Sequence, residues 1–500
     1  MKKFIFKIQI IISIWIFFPL LLVSQQVNTL YFMENAPVRN FLNPAFQPIK
    51  NFYISLPVIG FTQFNVGNNS LSINDIIYNY NGQTISFLHP NGDLNRFYNT
   101  LKPTTIIRTD LQTNLLSFGF RNKSSFWNFS LTEKVDGYVG IPKDLFKLSL
   151  FGTTSIDNNT FDLSTLQTDV TVYTEAGIGY SKHINNKLLL GVKVKFLMGS
   201  ANISNSNNEI AMHLGLGQWN LKGSGSANVS SPARIDIGNN FQSVTINSPT
   251  SIADWLKPSG YGAGIDFGAV YSLTDRLDLS AAIIDLGFIN WNKNVRNINY
   301  GVDYTFDGVA QVSSSQGSNT ISKVYNQLTT GNSLVDSLTN ALQTSTNQSI
   351  SNNSYITGTT SKLNLGIEYE LVDKILSLGL LSRTYIFKKS VSEEITTSIN
   401  AHPIDWFNAS ASYSFVNGRF GTIGAGIGLR TGFVHWFLAA DYIPFEKTSY
   451  SIPLPYKSTV FNLAIGVNLV FDANKKSKIR SNQKMNKQSN SNPNCHCEYN

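Results

Sequence analysis

Charged residues are scarce in this chain of 500 residues. Asp, Glu, Lys and Arg together make up 14% of it, against about 25% in typical soluble domains. Aromatic residues are abundant at 12%, with 33 Phe and 21 Tyr. A transmembrane β-barrel tolerates this composition, because its charge is confined to loops, lumen and rims while aromatic side chains form belts at both membrane interfaces. The composition therefore argues against an ordinary soluble domain.

Long apolar runs are missing beyond the first two dozen residues. The chain opens with the basic segment MKKFIFK, continues with an apolar run over 8–23 that Pro19 interrupts, and reaches the small residue Ser24. This order predicts a secretory signal peptide over 1–24. The alternative, a membrane anchor helix, would need about 20 apolar residues. Because only helices and closed barrels satisfy every backbone hydrogen bond in lipid, the exported chain is soluble, surface-bound or a barrel.

Cysteine is almost absent, since the chain has only Cys495 and Cys497, separated by His496. One C-x-C pair builds neither a disulfide framework nor a structural zinc site. A weak metal or redox site is one interpretation, and an incidental exposed pair is the favoured one. The chain also lacks a nucleotide-binding loop, an HExxH helix and a GxSxG elbow. We therefore expect no enzymatic activity, no cofactor and no metal.

The net charge of +8 does not indicate a nucleic-acid partner. Part of the excess lies in the polar tail over 472–500, which carries six basic and two acidic residues. No other dense basic cluster, of the kind that binds nucleic acid, is present. The tail is too polar and too charged to pack, so we expect it to be disordered.

An alternating pattern recurs along the chain and is clearest near its C-terminal end, in FNLAIGVNLVF over 461–471. Successive side chains of a strand point to opposite faces. One face of this segment is apolar, and the other carries Asn, Ala and Gly, with Val470 as the one misfit. No residue of the segment is charged. A strand with lipid on one side and a crowded, wet lumen on the other has this pattern.

Strand-like segments of this kind predict an all-β fold, a transmembrane antiparallel β-barrel over 113–471. Two of the fourteen segments, 209–221 and 390–400, are poor, and bacterial barrels have even strand numbers, so we expect about 14 strands. Short turns alternate with long polar stretches, as in outer-membrane barrels. The twelve good segments are 113–121, 126–135, 171–182, 187–198, 261–273, 276–286, 361–372, 374–387, 405–416, 419–430, 432–442 and 458–471.

The segment over 25–112 is irregular and rich in proline. We expect it to plug the lumen or to cover the periplasmic mouth, with room for an early strand around 52–66. Its beginning, NTLYFMENAPVRNFLNPAFQP over 28–48, resembles the start of a family of Bacteroidota outer-membrane proteins of unknown function. Further matching pieces follow in order along most of the chain, among them TEAGIGYSK (174–182) and IIDLGFINW (283–291).

That family looks like a branch of the FadL-like barrels, which include long-chain fatty-acid transporters, and PorV of the type IX secretion apparatus is a related barrel. The resemblance implies fourteen strands, an N-terminal plug with an Asn-Pro-Ala element, and a place in the bacterial outer membrane. One departure is the tail beyond Phe471. Phe471 would otherwise be the terminal aromatic residue of the closing strand, on which outer-membrane insertion commonly depends.

Two functions follow as hypotheses. In the first, the barrel binds or passes small, hydrophobic molecules; in the second, it is a non-transporting, PorV-like partner for secretion or assembly. The expected partners are outer-membrane lipid, the barrel-assembly machinery, and either hydrophobic small molecules or secreted proteins. The charged lumen residues form either a conduit or pairs that stabilise the barrel, and His435 is expected in a hydrogen-bond network. The candidate plug and lumen residues are Asn43, Pro44, Ala45, Phe46, Lys193, Lys195, Asp266, Glu368, Glu370, Arg430, His435 and Asp441.

Overall fold

The computed structural model describes residues 27–151, 159–214, 219–237, 244–306, 346–373, 375–386, 391–416, 419–441 and 460–472. The predicted signal peptide, Cys495, Cys497 and all but the first residue of the predicted tail lie outside these ranges. Within them, no helix is long and apolar enough to cross a membrane.

Fourteen antiparallel strands close into a single barrel, as the sequence predicts. Each strand pairs with the next along the chain, and the first closes on the last, with Phe52 opposite Phe471 and Thr62 opposite Ile465. The strands are β1 (Phe52–Ser55 and Thr62–Asn68), β2 (Thr104–Asn122), β3 (Ser125–Pro142), β4 (Gln167–His183), β5 (Leu188–Leu214), β6 (Gly260–Thr274), β7 (Leu277–Trp291), β8 (Ser361–Val372), β9 (Leu376–Ile386), β10 (Val391–Ile404), β11 (Phe407–Val416), β12 (Arg419–Thr431), β13 (Val434–Asp441) and β14 (Val460–Phe471).

The first strand lies inside the segment that the sequence assigns to the plug, close to the early strand expected there. It is interrupted because Pro57 has no N–H to donate and Val58 adopts a positive φ of 66°. Ladder-like bonds persist across the gap, from Val58 N to Asn114 O (2.8 Å) and from Val467 N to Ile59 O (2.8 Å). The barrel therefore stays closed at this irregular strand.

One predicted strand is wrong. The segment 209–221 is not a barrel strand of its own, because its first part ends the long strand β5 and its last part begins Trp219–Ser230. Trp219–Ser230 pairs with the outer half of β5 and with Arg296–Phe306, so it extends the sheet beyond the barrel. The poor segment 390–400, in contrast, forms β10.

The two faces of the wall differ as the alternation predicts. In β14, Ile465 is 46% exposed, while Asn462, Ala464 and Asn468 are at most 1% exposed. Val470, which breaks the alternation, is buried against Tyr53 and Phe126. Large apolar side chains point outward on every side of the barrel, and lipid would cover them; examples are Ile178, Val194, Phe267, Ile367, Leu380, Ile399, Ile427 and Leu438.

The two ends of the barrel are unequal. One end has short turns, such as those after Asn122, Thr274 and Thr431, and outer-membrane barrels place such turns in the periplasm. The other end carries the additional elements. They are the helices Ile73–Ile76, Leu94–Thr100, Lys143–Phe151 and Ile252–Trp255, and the strands Ile77–Tyr80, Gln83–Ser86, Asn159–Asp162, Trp219–Ser230, Arg234–Ile237, Val244–Asn247, Arg296–Phe306, Thr346–Ser351 and Tyr355–Gly358.

Candidate functional site: the plugged lumen

The lumen is filled by residues 27–48, which we call the plug. It contains two short 3-10 helices, Thr29–Phe32 and Pro37–Phe41, and all nine of their side chains are buried. Its apolar residues form the largest buried cluster together with inward-facing wall residues such as Leu381 and Phe437. The chain therefore builds its principal core inside the barrel, where an open pore would hold water.

Glycines on the inner wall make room for the plug. A Cβ added at Gly366 would lie 2.8 Å from Tyr31 Cε1, and one at Gly379 would lie 2.6 Å from Phe32 Cε2. A Cβ at Gly268 would lie 2.8 Å from Pro44 Cδ and closer still to Asn43 Oδ1. Any larger residue at these positions would force the plug to move. Inward-facing glycine is thus part of the seat of the plug.

The predicted Asn-Pro-Ala element of the plug is buried against β6 and β7. Asn43 Nδ2 donates to Ala269 O and Ala281 O at 3.4 Å each, and Asn43 Oδ1 accepts from Ala45 N at 2.9 Å. Asn43 and Ala45 are both 0% exposed. Phe46 is half-buried, with the guanidinium of Arg39 4.2 Å from its ring centre.

Hydrogen bonds tie the start of the plug to the opposite wall. The carboxylate of Asp441 accepts from Asn28 N, Thr29 N and Thr29 Oγ1, and Asn28 Nδ2 donates to Glu394 Oε2 at 2.8 Å. Further along, Asn364 Nδ2 donates to Leu42 O at 2.7 Å. The plug is therefore anchored at both ends by buried polar groups of the wall.

Tyr31 shows how dry the interior of the plug is. Its side chain is 0% exposed, and this burial raises the pKa of its phenol above the ordinary value. The neutral hydroxyl lies 3.0 Å from Ser280 Oγ on the wall, within hydrogen-bonding distance. Arg39 Nε in turn donates to Tyr31 O at 2.8 Å, which holds the two 3-10 helices together.

A network of buried ion pairs, which we call the ion network, lies on the β3–β8 side of the lumen. Lys195 Nζ lies 2.7 Å from Asp266 Oδ1 and 2.6 Å from Asp285 Oδ1. Lys134 Nζ reaches the same Asp285 oxygen at 2.6 Å and Glu175 Oε2 at 2.9 Å. All five side chains are 7% exposed or less. Such a network tolerates burial only while every member is paired.

The ion network extends to the plug on one side and to β2 on the other. Lys193 Nζ lies 3.5 Å from Glu175 Oε1 and 4.4 Å from the ring centre of Phe41 in the plug. On the other side, Lys362 Nζ lies 2.6 Å from Asp110 Oδ2 and 3.6 Å from Asp285 Oδ2. The sequence left two interpretations of the lumen charges, a conduit or stabilising pairs. In the structure, Lys193, Lys195 and Asp266 form ion pairs.

Asp285 is the hub that the sequence did not reveal. Strict alternation would place Asp285 and Ile284 on opposite faces of the strand, one inside the barrel and one outside, yet both residues are buried. The pairing of β6 with β7 shifts register at this point, and Asp285 has a positive φ of 62°. The resulting bulge turns its carboxylate inward, and its backbone N–H donates to Asp266 Oδ1 at 2.7 Å.

A chamber opens above the plug, in the half of the barrel that carries the long loops. It encloses about 960 Å³ between atoms, part of it open to solvent. Most of its lining residues are polar or charged, although their carbon atoms make up the larger part of the surface that faces the chamber. The lining consists of Arg108, Thr109, Asp110, Asp136, Gly137, Tyr138, Gln167, Thr168, Asp169, Thr171, Asn205, Gly358, Thr359, Thr360, Tyr385, Ser392 and Glu394. Asp110 and Asp136 stand directly opposite each other on β2 and β3.

A second space lies below the plug, beside the short turns. It spans about 770 Å³ between atoms, part of it open to solvent, and is lined by plug residues such as Glu34 and Arg39 and by wall residues such as Asp278 and Glu368. Glu368 Oε1 accepts from Ser377 Oγ at 2.6 Å. The plug therefore separates two cavities within one barrel.

The structure does not gather all predicted lumen residues into one site. Arg430 and His435 line a separate small cavity with Lys50 and Asp405. His435 is buried at 2% exposure, but neither ring nitrogen has a hydrogen-bond partner among the described residues, so the network expected around it is not observed there. Glu370 lies near the short turns, where its N–H donates to Arg276 O at 2.8 Å.

Five members of the ion network and its surroundings were missed from the sequence: Asp110, Lys134, Glu175, Asp285 and Lys362. Apart from Asp285, alternation along their strands was the signal that could have placed them inside. Across the described ranges, no group of three or more His, Cys, Asp or Glu side chains is arranged to hold a metal ion.

Solved structures that resemble this barrel have low sequence identity to it. A Pseudomonas aeruginosa FadL homologue is 12% identical, with 90% of this chain and 99% of that chain covered at a TM-score of 0.38. The P. putida toluene transporter TodX is 10% identical, with 89% and 95% covered at a TM-score of 0.39. The CymD monoaromatic hydrocarbon channel is 9% identical, with 91% and 100% covered at a TM-score of 0.38.

No curated protein matches the chain. A family model, described as a family of unknown function (DUF5723), matches residues 44–441, which is most of the barrel and begins at Pro44 of the plug. The predicted resemblance to a family of unknown function is confirmed by this match, whereas the source in Bacteroidota and the kinship with PorV stay predictions. The chain belongs to the family of unknown function DUF5723.

Proposed function

We propose that this protein binds small molecules in the chamber and admits them across the outer membrane when the plug moves. The observation that carries the proposal is the arrangement of two cavities, about 960 Å³ and about 770 Å³, on opposite sides of one plug inside a closed barrel. An open porin has no such barrier, and a purely structural barrel needs no cavity on either side of it.

The class of molecule has two candidates. The sequence resemblance makes small hydrophobic molecules one class, and the polar lining of the chamber makes polar solutes another. Among the described residues, no contact specifically favours the second hypothesis, a non-transporting secretion partner, so it stays a prediction.

Anchoring of the plug supports its role as a gate. Asp441 accepts three hydrogen bonds from Asn28 and Thr29, and a hydrogen bond to a charged group contributes about 1.5–3 kcal/mol. Replacing this one side chain should free the start of the plug without touching the ion network.

The experiment measures uptake of radiolabelled toluene and glucose into proteoliposomes that contain the unsubstituted protein, the Asp441→Ala variant or the Asp303→Ala variant. Asp303 is the matched control, because its side chain is 69% exposed in an external strand. We expect faster uptake of at least one probe with Asp441→Ala and unchanged uptake with Asp303→Ala. Protein-free liposomes give the baseline, because toluene crosses lipid unaided. Uptake of both probes no faster than this baseline for all three proteins, each folded by its heat-modifiable gel mobility, would contradict the proposal.

A further inference from the structure

Polar atoms without hydrogen-bond partners gather where the plug meets the chamber. Among the described residues, Arg383 Nη1 and Nη2, Glu394 Oε1 and Asn28 Oδ1 have none. Arg383 and Glu394 are 0% exposed and Asn28 is 1% exposed. Buried polar groups in proteins are nearly always hydrogen-bonded, and an unpaired one costs about 1–3 kcal/mol. The described part of the protein therefore supplies no partner to these four atoms, and water or a bound molecule would have to satisfy them.

The three side chains are neighbours. Arg383 on β9 stands directly opposite Glu394 on β10, and Asn28 donates to Glu394 Oε2 at 2.8 Å. An arginine opposite a glutamate usually forms a bidentate pair, but no hydrogen bond joins the two here. Instead, Arg383 Nε donates to Asn364 Oδ1 at 2.9 Å. Both side chains are thus held by other groups, with their remaining polar atoms unused.

The plug itself sets this geometry. Asn28 belongs to the plug and orients Glu394, while Asn364, which orients Arg383, is fixed by its bond to Leu42 O of the plug at 2.7 Å. We call Asn28, Arg383 and Glu394 the floor subsite. Since Glu394 also lines the chamber, a molecule in the chamber would meet the floor subsite at Glu394.

The chamber supplies both kinds of polar contact. Its charged lining includes Arg108 with Asp136 and Asp169, and amide and hydroxyl side chains such as Gln167 and Thr359 also line it. The chamber therefore presents both hydrogen-bond donors and acceptors. Two tyrosine rings, Tyr138 and Tyr385, also line it, and aromatic rings offer flat apolar surface to a ligand.

We propose that the floor subsite and the chamber bind an uncharged, hydroxyl-rich solute of the carbohydrate class. A hydroxyl both donates and accepts, so neighbouring hydroxyls satisfy Glu394 Oε1 and the Arg383 fork at once. A hydrophobic molecule would leave these groups unpaired, and sites built from buried polar groups reject ligands that cannot pair with them. This inference rests on the proposed function and names the substrate class for it.

The test is equilibrium dialysis of the full chain in lipid nanodiscs with radiolabelled glucose, galactose, sucrose and maltose, and with toluene as the apolar probe. We expect saturable binding of at least one saccharide. Glu394→Gln should weaken that binding about tenfold, because it converts one unpaired acceptor of the floor subsite into an amide. Glu393→Gln is the matched control, since the side chain of Glu393 is exposed on the outer face of the same strand, and it should bind as the full chain does.

Absence of saturable binding of all four saccharides would overturn the inference, as would equal loss of binding in Glu394→Gln and Glu393→Gln. Saturable toluene binding without saccharide binding overturns the substrate class and leaves the proposed function standing. Uptake of both probes in proteoliposomes no faster than in protein-free liposomes removes the proposed function itself. If Glu394→Gln loses heat-modifiable mobility, Arg383→Lys replaces it, because lysine keeps the charge but loses the fork, and the same tenfold weakening is expected.

Discussion

Substitution of Gly268 by alanine should loosen the plug without opening the barrel. The new Cβ would lie 2.8 Å from Pro44 Cδ and closer to Asn43 Oδ1, so the Asn-Pro-Ala element must shift. The shift would strain the bond from Ala45 N to Asn43 Oδ1, now 2.9 Å long. Overpacking of a buried contact costs about 1–3 kcal/mol, which corresponds to a change of about 5- to 150-fold in the population of the undocked plug.

The same strand supplies the control. Gly264 also faces inward on β6, four residues away, but a Cβ there would have its nearest neighbours at 3.6 Å, an ordinary contact. Hydrogen exchange of the plug amides, measured by mass spectrometry in detergent micelles, should rise about 5- to 150-fold in Gly268→Ala and stay unchanged in Gly264→Ala. Equal exchange rates in the two variants would refute the claim that wall glycines form the seat of the plug.

Two further predictions concern the wall. Lys195→Met should lower the free energy of unfolding by about 3–5 kcal/mol, because it leaves Asp266 and Asp285 buried without this partner. The control Lys222→Met should change the free energy of unfolding by about 1 kcal/mol or less, since the side chains of Lys222 and its partner Asp303 are 66–69% exposed. Urea titration in lipid vesicles measures both, and similar effects of the two substitutions would contradict a buried ion network. Val194→Arg places a charge at a position that is 59% exposed on the outer wall, so it should lower the free energy of unfolding in vesicles by about 2–4 kcal/mol. The control Ile246→Arg, at a 62% exposed position outside the barrel, should change it little. An unchanged free energy of unfolding in Val194→Arg would argue against lipid at this face.

Alternation predicted most of this barrel because each strand crosses with one face in lipid and one in the lumen, so the same period repeats. It placed Asn462, Ala464 and Asn468 on the inner face and Ile465 on the outer one, as the structure has them. The signal weakens where a strand leaves the membrane. The segment 209–221 alternates too, but it belongs to a sheet that extends beyond the barrel.

Irregular backbone was the limit of sequence reasoning. The first barrel strand was expected only as an early strand around 52–66, because Pro57 and Val58 interrupt its pattern. Asp285 could not be placed inside, since a bulge with a positive φ reverses its direction. The meeting of Lys134, Glu175 and Lys195 depends on the register of three neighbouring strands, and no spacing along the chain shows that register.

Conductance across a planar lipid bilayer is the most direct test of a barrel closed by its own N-terminal segment. The measurement compares the full chain with a variant that lacks residues 27–48, both inserted at the same protein density. The full chain should remain closed or open only briefly, and the variant should conduct steadily, because the removed residues fill the lumen. Steady conductance by the full chain, or a folded variant that stays closed, would contradict the account.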